Sequence, residues 1–395
     1  MSLNSGGIVR YSGQSGPIFK LAFVTGLLTL ITAGIYRFWA KTRMRKYIWS
    51  SVSIDGDAFE YTGTGLEKLL GFLIAIVFLA VYLAGVQLIL TFLGLGVMMQ
   101  PGNELAIIAS VYISFFAIVP FLLFAVYRAR RYKLARTRLR GIRFGMDNAA
   151  WGYAWRAIGH YLLTGITLGA LLPRQTFYLE KYMTDRSYYG DAKFEQGGRW
   201  QGLYAALKHV LIGLAIMILG AIVGGVMNAE ALIGIAVFVG YFWFMIGFVY
   251  YRVHAYAYLA NHKTLDGQVT FTATPSTAEI IKIVLVGGIV LGVVAAIAFG
   301  VLGGVVYGMA ASGGMGMGMG PNIAQIVPIV ILYLLILIGL GALGVVMITH
   351  PIIGHLATNL KVNNAEALGA VRQRAYDKGA DAEGFADALD IGGAI

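Results

Sequence analysis

KLLGFLIAIVFLAVYLAGVQLILTFLGLGVMMQPGNELAIIASVYISFFAIVPFLLFAVYR, from Lys68 to Arg128, encloses 59 residues without a lysine or arginine. MMQPGNE (98–104) breaks the run with Pro and Gly. On either side the apolar stretch exceeds the roughly 20 residues that cross a hydrocarbon core of about 30 Å. Two more basic-free gaps follow, Lys208 to Arg252 and Lys282 to Lys361. Each is long enough to cross twice. The three gaps read as three transmembrane helical hairpins, with spans near 70–96, 105–127, 209–227, 232–251, 281–306 and 325–348. Their outer turns fall at 98–104, 227–231 and 308–322.

The composition agrees with this reading. The chain has 395 residues, 58% hydrophobic and 12% charged, with mean hydropathy +0.74. A soluble domain is about one quarter charged. The net charge of +11 fits basic residues gathered on the cytoplasmic side of the membrane. The absence of cysteine excludes disulfides, thiolate metal sites and a cysteine nucleophile. The first sixteen residues are polar, without the apolar core of a signal peptide.

Two shorter apolar segments complicate the count. One runs from Leu21 to Tyr36, between Lys20 and Arg37; its twin, AIGHYLLTGITLGALLP, lies between Arg156 and Arg174. At 1.5 Å per residue each reaches only about 25 Å. If both spanned, the 30 basic residues would divide equally across the bilayer. If neither spans, all 30 face the cytoplasm. A basic residue at the bilayer centre costs about 2.5–3.5 kcal/mol, and loop charge bias sets orientation. The one-sided arrangement is favoured: six spans, two re-entrant or interfacial segments, both termini inside.

The connections share a pattern. RMRKYIWSSVSIDGDAFEYTGTG, RARRYKLARTRLRGIRFGMD, LEKYMTDRSYYGDAKFEQGG and HAYAYLANHKTLDGQVTFTATP each carry an aromatic, a polar stretch, a glycine, and a phenylalanine three or four residues beyond it. Asp55-Gly56 and Asp266-Gly267 are hairpin-turn dipeptides, and Gly190-Asp191 can turn similarly. The expected fold is an all-α polytopic membrane protein of internal repeats, with small cytoplasmic β-hairpins that pair into one sheet. The chain divides into repeat 1 (1–127), repeat 2 (128–251), repeat 3 (252–361) and a polar, acidic tail (362–395).

The run LLTLITAGIYRFWAKTRMRKY (27–47), then IDGDAFEYTGTG (54–65), resembles the YjgN family of bacterial inner-membrane proteins. TGITLGALLP followed by YYGDAKFEQGG resembles that family's internal repeat, and DAEGFADALDIG (381–392) resembles its C-terminus. After the last span the family tends to place a Pro-Trp-Ala-type turn with arginines, where this chain has HPIIGHLATNLK. The resemblance implies an inner-membrane location and brings no established activity.

Few residues point to chemistry. No phosphate loop, GxSxG or HExxH motif is present. Neither catalysis nor a cofactor is expected. The six histidines do not converge in sequence, so no metal site is expected. The outer-loop methionines Met309, Met315, Met317 and Met319 read as a flexible Gly/Met linker. The basic run Arg128, Arg130, Arg131, Lys133, Arg136, Arg138, Arg140 and Arg143 suits anionic lipid headgroups. Nucleic acid is not expected as a partner, because the adjoining spans hold the run against lipid. Self-association is left open by small-xxx-small pairs such as Gly220/Gly224, Gly288/Gly292 and Gly300/Gly304, and no partner protein is indicated.

No acidic residue falls at a span centre, which argues against ion-coupled pumping. The paired, Gly-interrupted short segments instead suggest a non-coupled conduit or carrier for an anionic solute or lipid. Thr29, Thr32, Gly34, Arg156, His160, Thr164, Thr167 and Gly169 are its candidate cavity-lining residues. The alternative is a membrane scaffold that recruits a partner through the β-hairpins and the acidic tail.

Overall fold

The structure, a computed structural model, describes residues 7–94, 104–311 and 323–374. Among the described residues six helices are long and apolar enough to cross a membrane, from Gly65–Phe92 (28 residues) to Ile326–Thr358 (33 residues). Only 6% to 17% of their most apolar stretches is buried within the protein, so lipid must cover the rest. The chain is a polytopic membrane protein, predominantly helical.

Helices α1 (Ser15–Ile31), α2 (Arg37–Ser50), α3 (Gly65–Phe92) and α4 (Glu104–Ala135) come first. They are followed by α5 (Ala150–Ile166), α6 (Leu172–Thr184), α7 (Tyr204–Val226) and α8 (Glu230–Asn261). Last are α9 (Thr277–Ala311), α10 (Ile323–Gly344) and α11 (His350–Thr358), with a π-helical turn at Val345–Thr349. Helix starts are chemically marked. Thr64 accepts a hydrogen bond from the Glu67 amide in a Thr-x-x-Glu cap. Glu67, Glu104, Glu230 and Glu279 occupy first turns, where the helix dipole favours an anion. Both α4 and α8 run well past their apolar cores into the connectors that lead to the next strand.

The expectation of an all-α fold is corrected by the strands. Ten strands, β1 (Gly7–Tyr11), β2 (Val52–Ile54), β3 (Asp57–Tyr61), β4 (Thr137–Leu139), β5 (Ile142–Met146), β6 (Ser187–Tyr189), β7 (Ala192–Gln196), β8 (Lys263–Leu265), β9 (Val269–Ala273) and β10 (Leu360–Asn363), form one closed barrel. Neighbours in sequence pair antiparallel, and β1 closes the ring by pairing with both β2 and β10. Strands of three to five residues are too short to display a period-two alternation. β1 and β10 come from opposite ends of the chain, so neither carries a hairpin signal.

Turn chemistry sets the registers. Asp55-Gly56 and Arg140-Gly141 both take positive φ (52° and 96°, 53° and 77°), the demand of a two-residue type I′ loop. Gly190 takes φ 55° in the third two-residue loop. Inside the barrel, Ile54, Leu139, Tyr189, Leu265 and Val362, one from every second strand, pack together. The four phenylalanines beyond the turn glycines form an arc, Phe59–Phe144–Phe194–Phe271, with successive ring centroids 6.1, 6.4 and 6.3 Å apart. Val9 on β1 joins the same core.

Each helix that enters the barrel carries an aromatic five residues before its strand: Tyr47, Tyr132, Tyr182, Tyr258 and His355. Every one of these bonds to the segment that starts a helix leaving the barrel. Tyr47 bonds Gln14 (2.9 Å), Tyr132 bonds Glu67 (2.8 Å), and Tyr182 bonds the Ala149 carbonyl (3.1 Å). Tyr258 bonds both Arg199 backbone groups (2.9 and 2.8 Å), and His355 accepts from the Ser276 amide (2.9 Å).

Candidate functional site

Directly above the barrel lies a cavity of about 460 Å³ lined by Ile48 and Trp49 of α2, Arg130, Lys133 and Leu134 of α4, and Ile353 of α11. Val52, Thr137, Phe59 and Phe144 form its floor. Val52, Phe59 and Phe144 also line a second cavity of about 300 Å³ inside the barrel, walled by Val9, Leu139, Tyr189, Phe194, Phe271 and other apolar groups. The two spaces therefore share a wall. Both are apolar, and the outer one, the chamber, carries two cations, Arg130 and Lys133, in its lining.

Arg130 belongs to a charged cluster. Its guanidinium grips Glu180 on α6 through two bonds, Nη1 to Oε2 at 2.6 Å and Nη2 to Oε1 at 2.8 Å. Lys263, the first residue of β8, reaches Glu180 Oε1 at 3.3 Å, and the Thr184 hydroxyl donates to the same oxygen at 3.0 Å. Burial alone would push the Glu180 carboxyl up, but Arg130 and then Lys263 outweigh it and hold it well below the usual carboxylate range. Burial draws the Lys263 ammonium below its ordinary value, with Glu180 opposing. The cluster carries one excess positive charge and closes one side of the chamber. Nothing in the local sequence of Glu180 or Lys263 marks either residue. The usable signal was register: Arg45, Arg130 and Glu180 each stand seven residues before a strand.

The rest of the basic run is split among different surroundings. Arg128 faces a groove between α3 and α4. Arg131 is buried, its Nε donating to the Met146 carbonyl (3.1 Å). Arg136 pairs with Glu67 (3.1 Å) and Arg140 with Asp57. Arg138 lies opposite Glu60 and Arg143 on the barrel, and the Arg143 amide donates to Gln373.

The residues read from the two short segments sit at helix turns. Thr32 and Thr167 bond their own helices at Leu28 and Leu163 and accept from the Tyr36 and Leu171 amides, respectively. Gly34 and Gly169 follow with φ 92° and 90°. Thr29 bonds the Thr25 carbonyl, while the Thr164 hydroxyl is buried without a hydrogen-bond partner. Arg156 donates to Gly152 and stacks on Tyr182; His160 stacks on Tyr178 beside Arg174. Other side chains line the two cavities above. Met315, Met317, Met319 and the tail beyond residue 374 lie outside the described residues. Among the described residues no cluster of three metal-ligating side chains occurs.

Residues 7–388 match the family described as "Bacterial protein of unknown function (DUF898)", and the chain belongs to that family. It is also similar to inner membrane protein YjgN of Salmonella typhimurium, with 30% identity over 150 residues, covering 36% of this chain and 33% of that one. For YjgN of Escherichia coli O157:H7 the identity is 26% over 161 residues, covering 41% and 36%. The matched region thus spans about a third of these curated relatives. The likeness read from residues 27–65 is borne out at the level of family. No solved structure matches the chain.

Proposed function

We propose that this DUF898 protein is a multipass inner-membrane carrier of an anionic amphiphile, held with its apolar tail in the chamber and its charged end at Arg130 and Lys133. The observation that carries this reading is the chamber itself, an apolar space set against the barrel interior across Val52, Phe59 and Phe144, with two cations in its lining. A hydrated anion would have to shed its water against Val, Leu and Phe, which is costly without compensating charge. An amphiphile meets both parts of the chamber favourably. The names of the YjgN relatives support the inner-membrane location.

In this reading the barrel and its basic helix ends face the cytoplasm with both termini, and α1–α2 and α5–α6 enter the membrane from that face and return. The architecture is five copies of one unit, a helix into the barrel, a β-hairpin and a helix out, with β10 and β1 supplying the fifth hairpin from the two chain ends. The five aromatic bonds to departing helices support this. Lys193→Cys, in a chain without native cysteine, is expected to resist a membrane-impermeant maleimide in intact cells and react after lysis.

Transport is tested in proteoliposomes carrying a fluorescent phosphatidylglycerol, with dithionite reporting movement between leaflets. Movement above protein-free vesicles is expected, reduced at least several-fold by Lys133→Gln and by the chamber-filling Val52→Trp. No movement, or movement that ignores both substitutions, overturns the carrier reading.

A further inference from the structure

Helices α3 and α4 are fastened at two levels. Towards the far ends, Gln87 Nε2 donates to Ser114 Oγ at 2.7 Å and Tyr82 donates to the Ala117 carbonyl at 3.0 Å. Next to the barrel, Glu67 pairs with Arg136 at 3.1 Å and accepts from Tyr132 at 2.8 Å. Between these clamps the helices part, leaving a groove of about 350 Å³. Its walls include Ile74, Phe78 and Leu79 of α3 with Ile118, Phe121 and Leu122 of α4. Ile74 and Phe78 are exposed, so the groove is open towards the lipid.

Two residues close its barrel end. Trp151 of α5 meets Phe121 edge-on and Phe124 at a tilt, with centroids 5.4 and 4.8 Å away, and Arg128 is the one charged residue in the lining. Arg128 lies seven residues from Phe121, about 10 Å along the helix. The order along the groove is apolar slot, indole, guanidinium. Hydrocarbon, membrane interface and phosphate follow each other in the same order in a phospholipid, and Trp and Arg are the side chains suited to the last two.

We infer that this groove binds one acyl chain of an anionic phospholipid, whose headgroup phosphate is met by Arg128. The site lies outside the chamber and does not depend on the carrier reading. An apolar slot of this kind does not hold water stably, and an acyl chain restores the contacts that the parted helices lose. The cation selects an anionic over a zwitterionic headgroup, since choline would place a second positive charge beside the guanidinium.

The test uses the full chain in vesicles containing phosphatidylglycerol or phosphatidylcholine with brominated acyl chains, which quench nearby tryptophan. Subtracting the Trp151→Phe signal isolates Trp151. Brominated phosphatidylglycerol is expected to quench it at a several-fold lower mole fraction than phosphatidylcholine. Arg128→Gln should erase that preference, Arg128→Lys should retain part of it, and Lys133→Gln in the chamber should leave it unchanged. Ala75 also lines the slot, and Ala75→Phe, which fills it, should reduce quenching by both lipids. Equal quenching by the two headgroups, a preference that survives Arg128→Gln, or no effect of Ala75→Phe overturns the assignment.

Discussion

Glu180 is the residue on which the charged cluster turns, because it is the anion shared by Arg130 and Lys263. Removing its charge leaves two half-buried cations without their shared anion, at a cost below the roughly 3–5 kcal/mol of a fully buried pair. Glu180→Gln is therefore expected to lower the unfolding temperature in detergent markedly. The pH dependence has a definite sign. The folded-state carboxyl titrates below its unfolded value of about 4.3, so its stabilisation is complete above that pH. It is lost as pH falls through the lower folded value. The gap between wild type and Glu180→Gln should stay constant from pH 8 to 5 and narrow below pH 4. A gap that closes near neutrality would show that the carboxyl is not held ionised by Arg130. In sequence Glu180 is an ordinary helix glutamate; its partners come from α4 and β8, 50 and 83 residues away.

Among elements, the α7–α8 pair shows how one sequence motif has two meanings. A Cβ on Gly213 would lie 2.6 Å from the Phe244 backbone, and one on Gly247 would lie 2.6 Å from the His209 carbonyl carbon. A Cβ on Gly220 would collide with Ala236. Gly224, four residues from Gly220, is also tight, with a Cβ there 2.5 Å from Ile233, whereas Gly288/Gly292 and Gly300/Gly304 of α9 repeat that spacing with nothing within 4 Å. Gly213→Val is expected to destabilise the protein by about 1–3 kcal/mol or more through overpacking, whereas Gly292→Ala should be neutral or slightly stabilising. Thermal unfolding of the two variants checks the contrast, and equal effects would refute it. The aromatic at each barrel entrance yields a second expectation. Tyr258→Phe removes both bonds to the Arg199 backbone and should cost about 1–3 kcal/mol. Freer amide exchange around Trp200–Leu203 should accompany the loss.

At the scale of the whole molecule, the barrel joins the two ends of the chain. β1 lies between β2 and β10, with Ile8 opposite Lys361 and Gly7 opposite Val362. Ile8→Cys combined with Lys361→Cys is expected to form an intramolecular disulfide on mild oxidation, read as a reducible gel-mobility shift without background from native cysteine. Failure to cross-link in protein that still elutes as folded would refute closure by the termini. Breaking the seam would expose two strand edges, which invite intermolecular pairing. Deleting residues 360–374 should therefore drive the purified protein into aggregates.

By itself the sequence determined the six long apolar helices and the hairpin turns at Asp55-Gly56, Gly190-Asp191 and Asp266-Gly267. Hydrophobic length and turn chemistry are local properties, written in consecutive residues. The recurring phenylalanine was legible too, but not what it packs against. Only the tertiary structure decided that the short strands close into a barrel, that Arg130 faces Glu180 while Arg131 holds a barrel carbonyl, and that Arg128 looks onto a lipid-facing groove. Neighbouring basic residues look alike in sequence. Helix phase and the approach of distant elements separate them, and neither is fixed by the residue types themselves.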